Sequence, residues 1–158
     1  MKLARLSLLF VFAIAMHSCS KEKENKNIMR VNFEGQEFLL DYSTKADYRN
    51  SDQGGTVTMS GIGKGTSPKS ISIGLLSMES LTTKKYVYDS SNDDPIIGIA
   101  FDPIGDGSFY RGGSQGSGPF SLTFLSLSDS RVSGNFQGVV TLGNASTTIT
   151  GSFDLPVE

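Results

Sequence analysis

Strict alternation of apolar and polar residues dominates the last third of this chain. Val132, Gly134, Phe136, Gly138, Val140 and Leu142 fall on one side of a period of two. Ile149, Gly151, Phe153 and Leu155 repeat the pattern after a Gly143-Asn144 turn, and Leu122 and Phe124 begin it before an Asp129-Ser130 turn. Successive side chains leave a strand on opposite faces, so this period predicts antiparallel strands buried on one side only. A helix would need apolar residues three and four apart, and no window of about twelve residues keeps such a stripe. Only residues 78–83 are expected to make a single helical turn. The expected fold is all-β.

The same period runs upstream. Residues 28–33 and 36–42 flank Gly35 and predict a hairpin. Residues 56–62, 70–75, 85–88, 96–101 and a short 109–111 predict further strands. The polar stretch 43–55, which ends in Gly54-Gly55, is expected to be a loop. Many short strands separated by turns imply an antiparallel β-sandwich or, alternatively, a small β-barrel. Glycines 134, 138 and 151 sit at inward positions, which suits a curved or closely packed sheet and leaves both architectures open.

Residues 1–18 obey a different rule. Lys2 and Arg5 precede an apolar run, 6–16, and Ser18 places a small residue before the lone Cys19. That is the layout of a secretory signal peptide. A membrane-crossing helix takes about 20 apolar residues, and this run is much shorter. Met16-His17-Ser18-Cys19 resembles a bacterial lipobox. The resemblance implies that residues 1–18 are a lipoprotein signal peptide and that Cys19 becomes the acylated first residue. One acyl chain gives marginal membrane binding and stable anchoring takes two or more, a requirement that a triacylated cysteine meets. SKEKENKN, residues 20–27, carries no apolar residue and cannot bury enough surface to fold, so 19–27 reads as a polar tether. Residues 28–158 are then one β domain. The run Cys19-Ser20-Lys21-Glu22-Lys23-Glu24 is similar to the Lys-plus-acid export signal of Bacteroidetes lipoproteins. That likeness implies a lipid anchor in the outer membrane, with the domain on the cell surface.

Processing would also decide what chemistry is left. His17 is removed and the Cys19 thiol is consumed, so the mature chain holds no histidine, no free cysteine and no tryptophan. Ser-His-Asp and Cys-His catalysis are excluded, as are metal sites built on imidazole or thiolate. Carboxylate pairs, Ser-Lys arrangements and hard-cation sites remain. Loss of Lys2 and Arg5 leaves 12 of 14 cations against 16 acids, a net charge of −4. Nucleic-acid binding rests on cationic patches, so nucleic acid is not an expected partner. No cofactor is expected.

Several motifs invite a sharper reading. GIGKGTSPK, 61–69, looks like a phosphate loop, but Lys64 is followed by glycine and the next element is a strand, so a hairpin loop is expected. Asp89, Asp93, Asp94, Asp102 and Asp106 occupy two loops at opposite ends of one strand, which separates them by about 20 Å. Solvated turn acids are expected, with one weak calcium ion in the 89–94 loop as the alternative. Asp102-Pro103-Ile104-Gly105-Asp106-Gly107 reads as turn dipeptides rather than a glycosidase pair. The segment 111–118, with its single Arg-Gly-Gly, is expected to be a loop. Tyr86 and Tyr88 share one face of their strand with Lys84 and are the candidate ligand-binding residues, by stacking on a sugar. Packing in the core is the competing reading.

Val132-Ser133-Gly134-Asn135-Phe136, Ile149-Thr150-Gly151-Ser152-Phe153 and the Phe33-Glu34-Gly35-Gln36-Glu37-Phe38 hairpin are together similar to a family of Bacteroidetes lipoproteins of unknown function. The resemblance adds fold and compartment and implies no activity. The expectation is a lipid-anchored envelope protein with a non-catalytic binding or structural role, not an enzyme. Its protein or glycan partner is left open. The alternatives are a surface glycan-binding protein, a lipocalin-like carrier of a small ligand, and a carboxylate-based hydrolase.

Overall fold

The computed structural model describes residues 27–158, so the expected signal peptide, Cys19 and residues 20–26 of the tether lie outside the described residues. Eleven strands make up the domain: β1 Ile28–Phe33, β2 Gln36–Leu40, β3 Ser43–Ser51, β4 Gly54–Ile62, β5 Ser70–Ser77, β6 Lys85–Tyr88, β7 Ile96–Asp102, β8 Tyr110–Gly113, β9 Phe120–Ser128, β10 Arg131–Leu142 and β11 Ala145–Pro156. No helix occurs among the described residues, and 78–83 is irregular rather than a helical turn. Its backbone is taken up elsewhere. The Asn50 amide donates to Leu81 O at 3.0 Å and accepts from Leu81 N at 2.7 Å, which seats the buried Leu81 in the core.

All strand pairs are antiparallel, and β10 and β11 form the central ladder, in register over all twelve positions. Beyond β11 lie β1 and then β2. The far edge of β10 is divided between two neighbours. Residues 131–138 pair with β9, which carries β6, while Val140 and Thr141 pair with β8. From β8 the sheet continues through β7, β5 and β4 to β3. Ala46 of β3 then bridges Val157, just past β11, so the sheet almost returns to its start. The two expected architectures meet in this result. Layers β2-β1-β11-β10-β9-β6 and β3-β4-β5-β7-β8 belong to one nearly closed, barrel-like sheet.

The interior is filled by side chains that the alternation points inward. Phe124 packs edge-on against both Tyr86 and Phe153, at centroid distances of 5.8 and 6.0 Å, and Phe33 and Phe38 meet Phe101 from β1 and β2. The inward glycines make this tiling fit. Gly134 stands opposite Phe153, and Phe136 stands opposite Gly151, on the same pair of strands. A methyl group on Gly134 would lie 2.7 Å from the Phe153 ring tip, and one on Gly151 would run into the Phe136 ring. The two Gly-x-Phe sequences therefore interlock head to tail, each ring lying over the other strand's glycine. Gly138 stands opposite Phe120 in the same way. On their inward side these glycines lie under aromatic rings.

The structure corrects two further expectations about the strands. Residues 43–51 form β3 instead of a loop. They are paired along their whole length with β4, and Ala46 is buried, Tyr48 half-buried. The other positions are Ser, Thr, Lys, Asp, Arg and Asn, which suit an edge strand whose outer face meets water. Arg111-Gly112-Gly113 belongs to β8, where the two layers join, rather than to a loop. A side chain on Gly112 would lie 2.5 Å from Val139 O, and Gly113 has φ +61° against the Ile97 carbonyl, a position only glycine takes without strain.

Candidate functional site

Tyr86 and Tyr88 do not form an exposed stacking platform. Tyr86 is buried against Phe124, and its hydroxyl accepts from Thr82 N at 2.8 Å and donates to Thr82 O at 3.3 Å. The Lys84 ammonium lies 5.0 Å from the same ring's centroid, so the ring is enclosed. Tyr88 is half-buried and packs on the core. The physical reason is the register of β6. Its pairing with β9 turns the tyrosines inward, and Lys85 and Val87 face solvent.

That outward side borders a groove of about 330 Å³. Val87, Pro119 and Val139 give it an apolar strip, and Gln137, Thr148 and Thr150 from β10 and β11 add neutral hydrogen-bonding groups, with Lys85 at the rim. Four strands contribute, so the sheet itself holds the shape. The alternation places Gln137 and Val139 of β10 and Thr148 and Thr150 of β11 on the outward faces of their strands. It does not show which strands are neighbours, and the groove exists only through that pairing.

The loop acids act on their own loops. The Asp89 carboxylate accepts from Ser91 N at 3.0 Å, and this bond with the Ser91 hydroxyl holds it below the usual carboxylate range. Asp94 accepts from Met78 N at 2.8 Å and Ser77 Oγ at 3.4 Å, tying its loop to the end of β5. Asp102 corrects the expectation of solvated acids, because it is only 4% exposed. It accepts from the N–H groups of Ile104, Gly105 and Gly107 at 3.1, 2.6 and 2.8 Å. Burial pushes its carboxyl up, but the N–H groups of Gly107, Gly105, Ile104 and Asp106 together outweigh burial and hold it below the usual range. Asp89, Asp93 and Asp94 at one end of β7, and Asp102 and Asp106 at the other, are not brought together. Among the described residues no three His, Cys, Asp or Glu side chains cluster as metal ligands would.

No protein-family model, curated protein or solved structure matches this chain. Its functional geometry has to be read from its own residues.

One groove does gather two acids that the sequence did not single out. Asp41 and Glu158 both line a surface depression beside Asn27, with Tyr42, Ser43 and Thr44. Each is engaged by its own lysine at 3.3 Å, Asp41 by Lys64 and Glu158 by Lys45. In the Gly-Ile-Gly-Lys-Gly segment Gly61 and Ile62 end β4, and Gly63 opens the β4–β5 connection, closed by Gly63 N donating to Lys69 O at 2.9 Å, while Lys64 serves that ion pair.

Proposed function

We propose that this chain is an envelope lipoprotein, anchored in the outer membrane through an acylated Cys19, whose β domain has a non-catalytic binding or structural role. The observation that carries the reading is the short step from lipobox to fold. Met16-His17-Ser18-Cys19 is followed by polar and charged residues only, and Asn27 already donates its N–H to Asp154 O at 2.9 Å. The resemblance of the two Gly-x-Phe strands to Bacteroidetes lipoproteins supports the same compartment. A mature chain without imidazole or free thiol, whose Asp89, Asp94, Asp102 and Asp106 carboxylates accept from backbone N–H groups, favours binding over catalysis. Cys19→Ala tests the anchor. The wild-type protein should enter the detergent phase on phase separation, and the variant should move to the aqueous phase. Equal partitioning of the two would overturn the reading.

A second reading, glycan binding, draws on the groove beside β6. Its apolar strip suits the apolar face of a sugar ring and its Gln and Thr side chains suit hydroxyls, in a volume at the lower end of the range for small-ligand sites, about 300–1,000 Å³. Electrophoresis through gels containing a neutral polysaccharide should retard the wild type, and Gln137→Ala should relieve the retardation. Equal mobility with and without each polysaccharide tried would remove this reading.

A further inference from the structure

We propose that the face formed by Leu39, Tyr42 and Ile62 rests on the lipid bilayer that holds the acyl chains of Cys19. This rests on the anchoring reading above and adds an orientation to it. The three side chains are 44%, 71% and 36% exposed. Tyr42 and Ile62 line one depression with Gly63, Lys64 and Pro68, and β2, which carries Leu39, runs beside Gly63. Tyr42 N donates to Ile62 O at 3.0 Å, and the Leu39 carbonyl and Leu40 side chain abut Gly63. Lys64 stands beside them, paired with Asp41, Lys45 is paired with Glu158, and Glu37, on the same face of β2 as Leu39, is paired with Arg30, so these acids are matched by cations.

The position of the chain's entry selects the occupant. Thr44 Oγ1 donates to Asn27 O at 2.7 Å, and Asn27 lines the same depression as Tyr42. Eight peptide units separate Cys19 from Asn27, a reach of at most roughly 26–29 Å. The Tyr42 face is thus held next to the bilayer, and tethering at this effective concentration lets a small, weak contact be occupied. Tyrosine with aliphatic neighbours and lysines is the chemistry of the headgroup region, where an aromatic ring sits at the interface and lysine extends its charge to water. The opposite end is distant. Leu142 stands opposite Ala145, nine residues along β11 from Asp154, or roughly 30 Å. The groove beside β6 uses Thr148 and Thr150, midway along β11 and roughly 13–20 Å from Asp154, so this orientation leaves it clear of the near end.

The chain has no tryptophan, so one introduced indole reports alone. Acylated full-length Tyr42→Trp and Leu142→Trp would be reconstituted on vesicles of phosphatidylethanolamine and phosphatidylglycerol with brominated acyl chains. Both positions are exposed, and a wild-type circular dichroism spectrum checks the fold. The expected result is co-flotation of both variants, with blue-shifted, bromine-quenched emission at position 42 and water-like emission at 142. Co-flotation with a water-like position 42 overturns the docking face and leaves the anchor standing. No co-flotation overturns both. A blue shift at position 42 that grows with protein concentration without vesicles means a second copy covers the face, and overturns the proposal.

Discussion

Phe136 and Phe153 each close over a glycine of the neighbouring strand, so both members of each pair are needed. Truncating a buried phenylalanine costs about 3–5 kcal/mol, against a total stability of roughly 5–15. Phe136→Ala and Phe153→Ala should each lower the thermal midpoint steeply or prevent folding. Gly134→Ala should also destabilise, by about 1–3 kcal/mol, because its methyl group meets the Phe153 ring and Thr123 O. A change within about 0.5 kcal/mol for all three would mean the stripe is not packed as described. Asp102 makes a different demand. Its folded pKa lies below the unfolded value of about 3.9, so its contribution is fully present above that value and is lost as pH falls through the folded one. Asp102→Asn should cost about 1–3 kcal/mol at neutral pH, the penalty of leaving buried N–H groups poorly satisfied. Denaturant titrations should show that gap narrowing in acid, and a gap independent of pH would contradict the clasp. The phenylalanines were legible because alternation marks the inward face. Asp102 was not, since Asp-Pro and Asp-x-x-Gly look the same whether the acid faces water or gathers a loop beneath it.

Among the strands, those with apolar residues at every second position were legible nearly to the residue, and β6 matches the expected 85–88 outright. The strand at 43–51 is not legible because its inward positions are Thr44, Ala46 and Tyr48, a period of two written without strong hydrophobes. The spacing of Tyr86 and Tyr88 puts them on one face, but which face meets the core depends on the β9 register, information that lies some 35 residues away. Loops follow the same division. The 89–94 segment offers three carboxylates in sequence, yet Asp89 turns to Ser91 and Asp94 to Ser77 and Met78. Calcium would have to displace these bonds, and comparable extracellular sites reach only about 10⁻⁴–10⁻³ M. Calorimetric titration with calcium should give dilution heat alone, with an unchanged melting midpoint at millimolar calcium. A saturable signal abolished by Asp93→Asn would make this loop a metal site.

At the scale of the whole molecule, the choice between sandwich and barrel dissolves at two places the sequence does not mark. β10 splits its far edge between β9 and β8, and Ala46 reaches Val157 across the remaining gap. The chain enters this sheet at Asn27, beside Tyr42, so the fold offers a near end and a far end to whatever holds its N-terminal segment. The proposed function stands on Cys19 being that hold. Intact mass spectrometry of the protein purified from membranes tests it most directly. The account predicts a chain beginning at Cys19, residues 19–158, heavier than its sequence by the mass of a diacylglyceryl group and a further acyl chain. A chain still carrying residues 1–18, or one cut elsewhere with an unmodified Cys19 thiol, would contradict it.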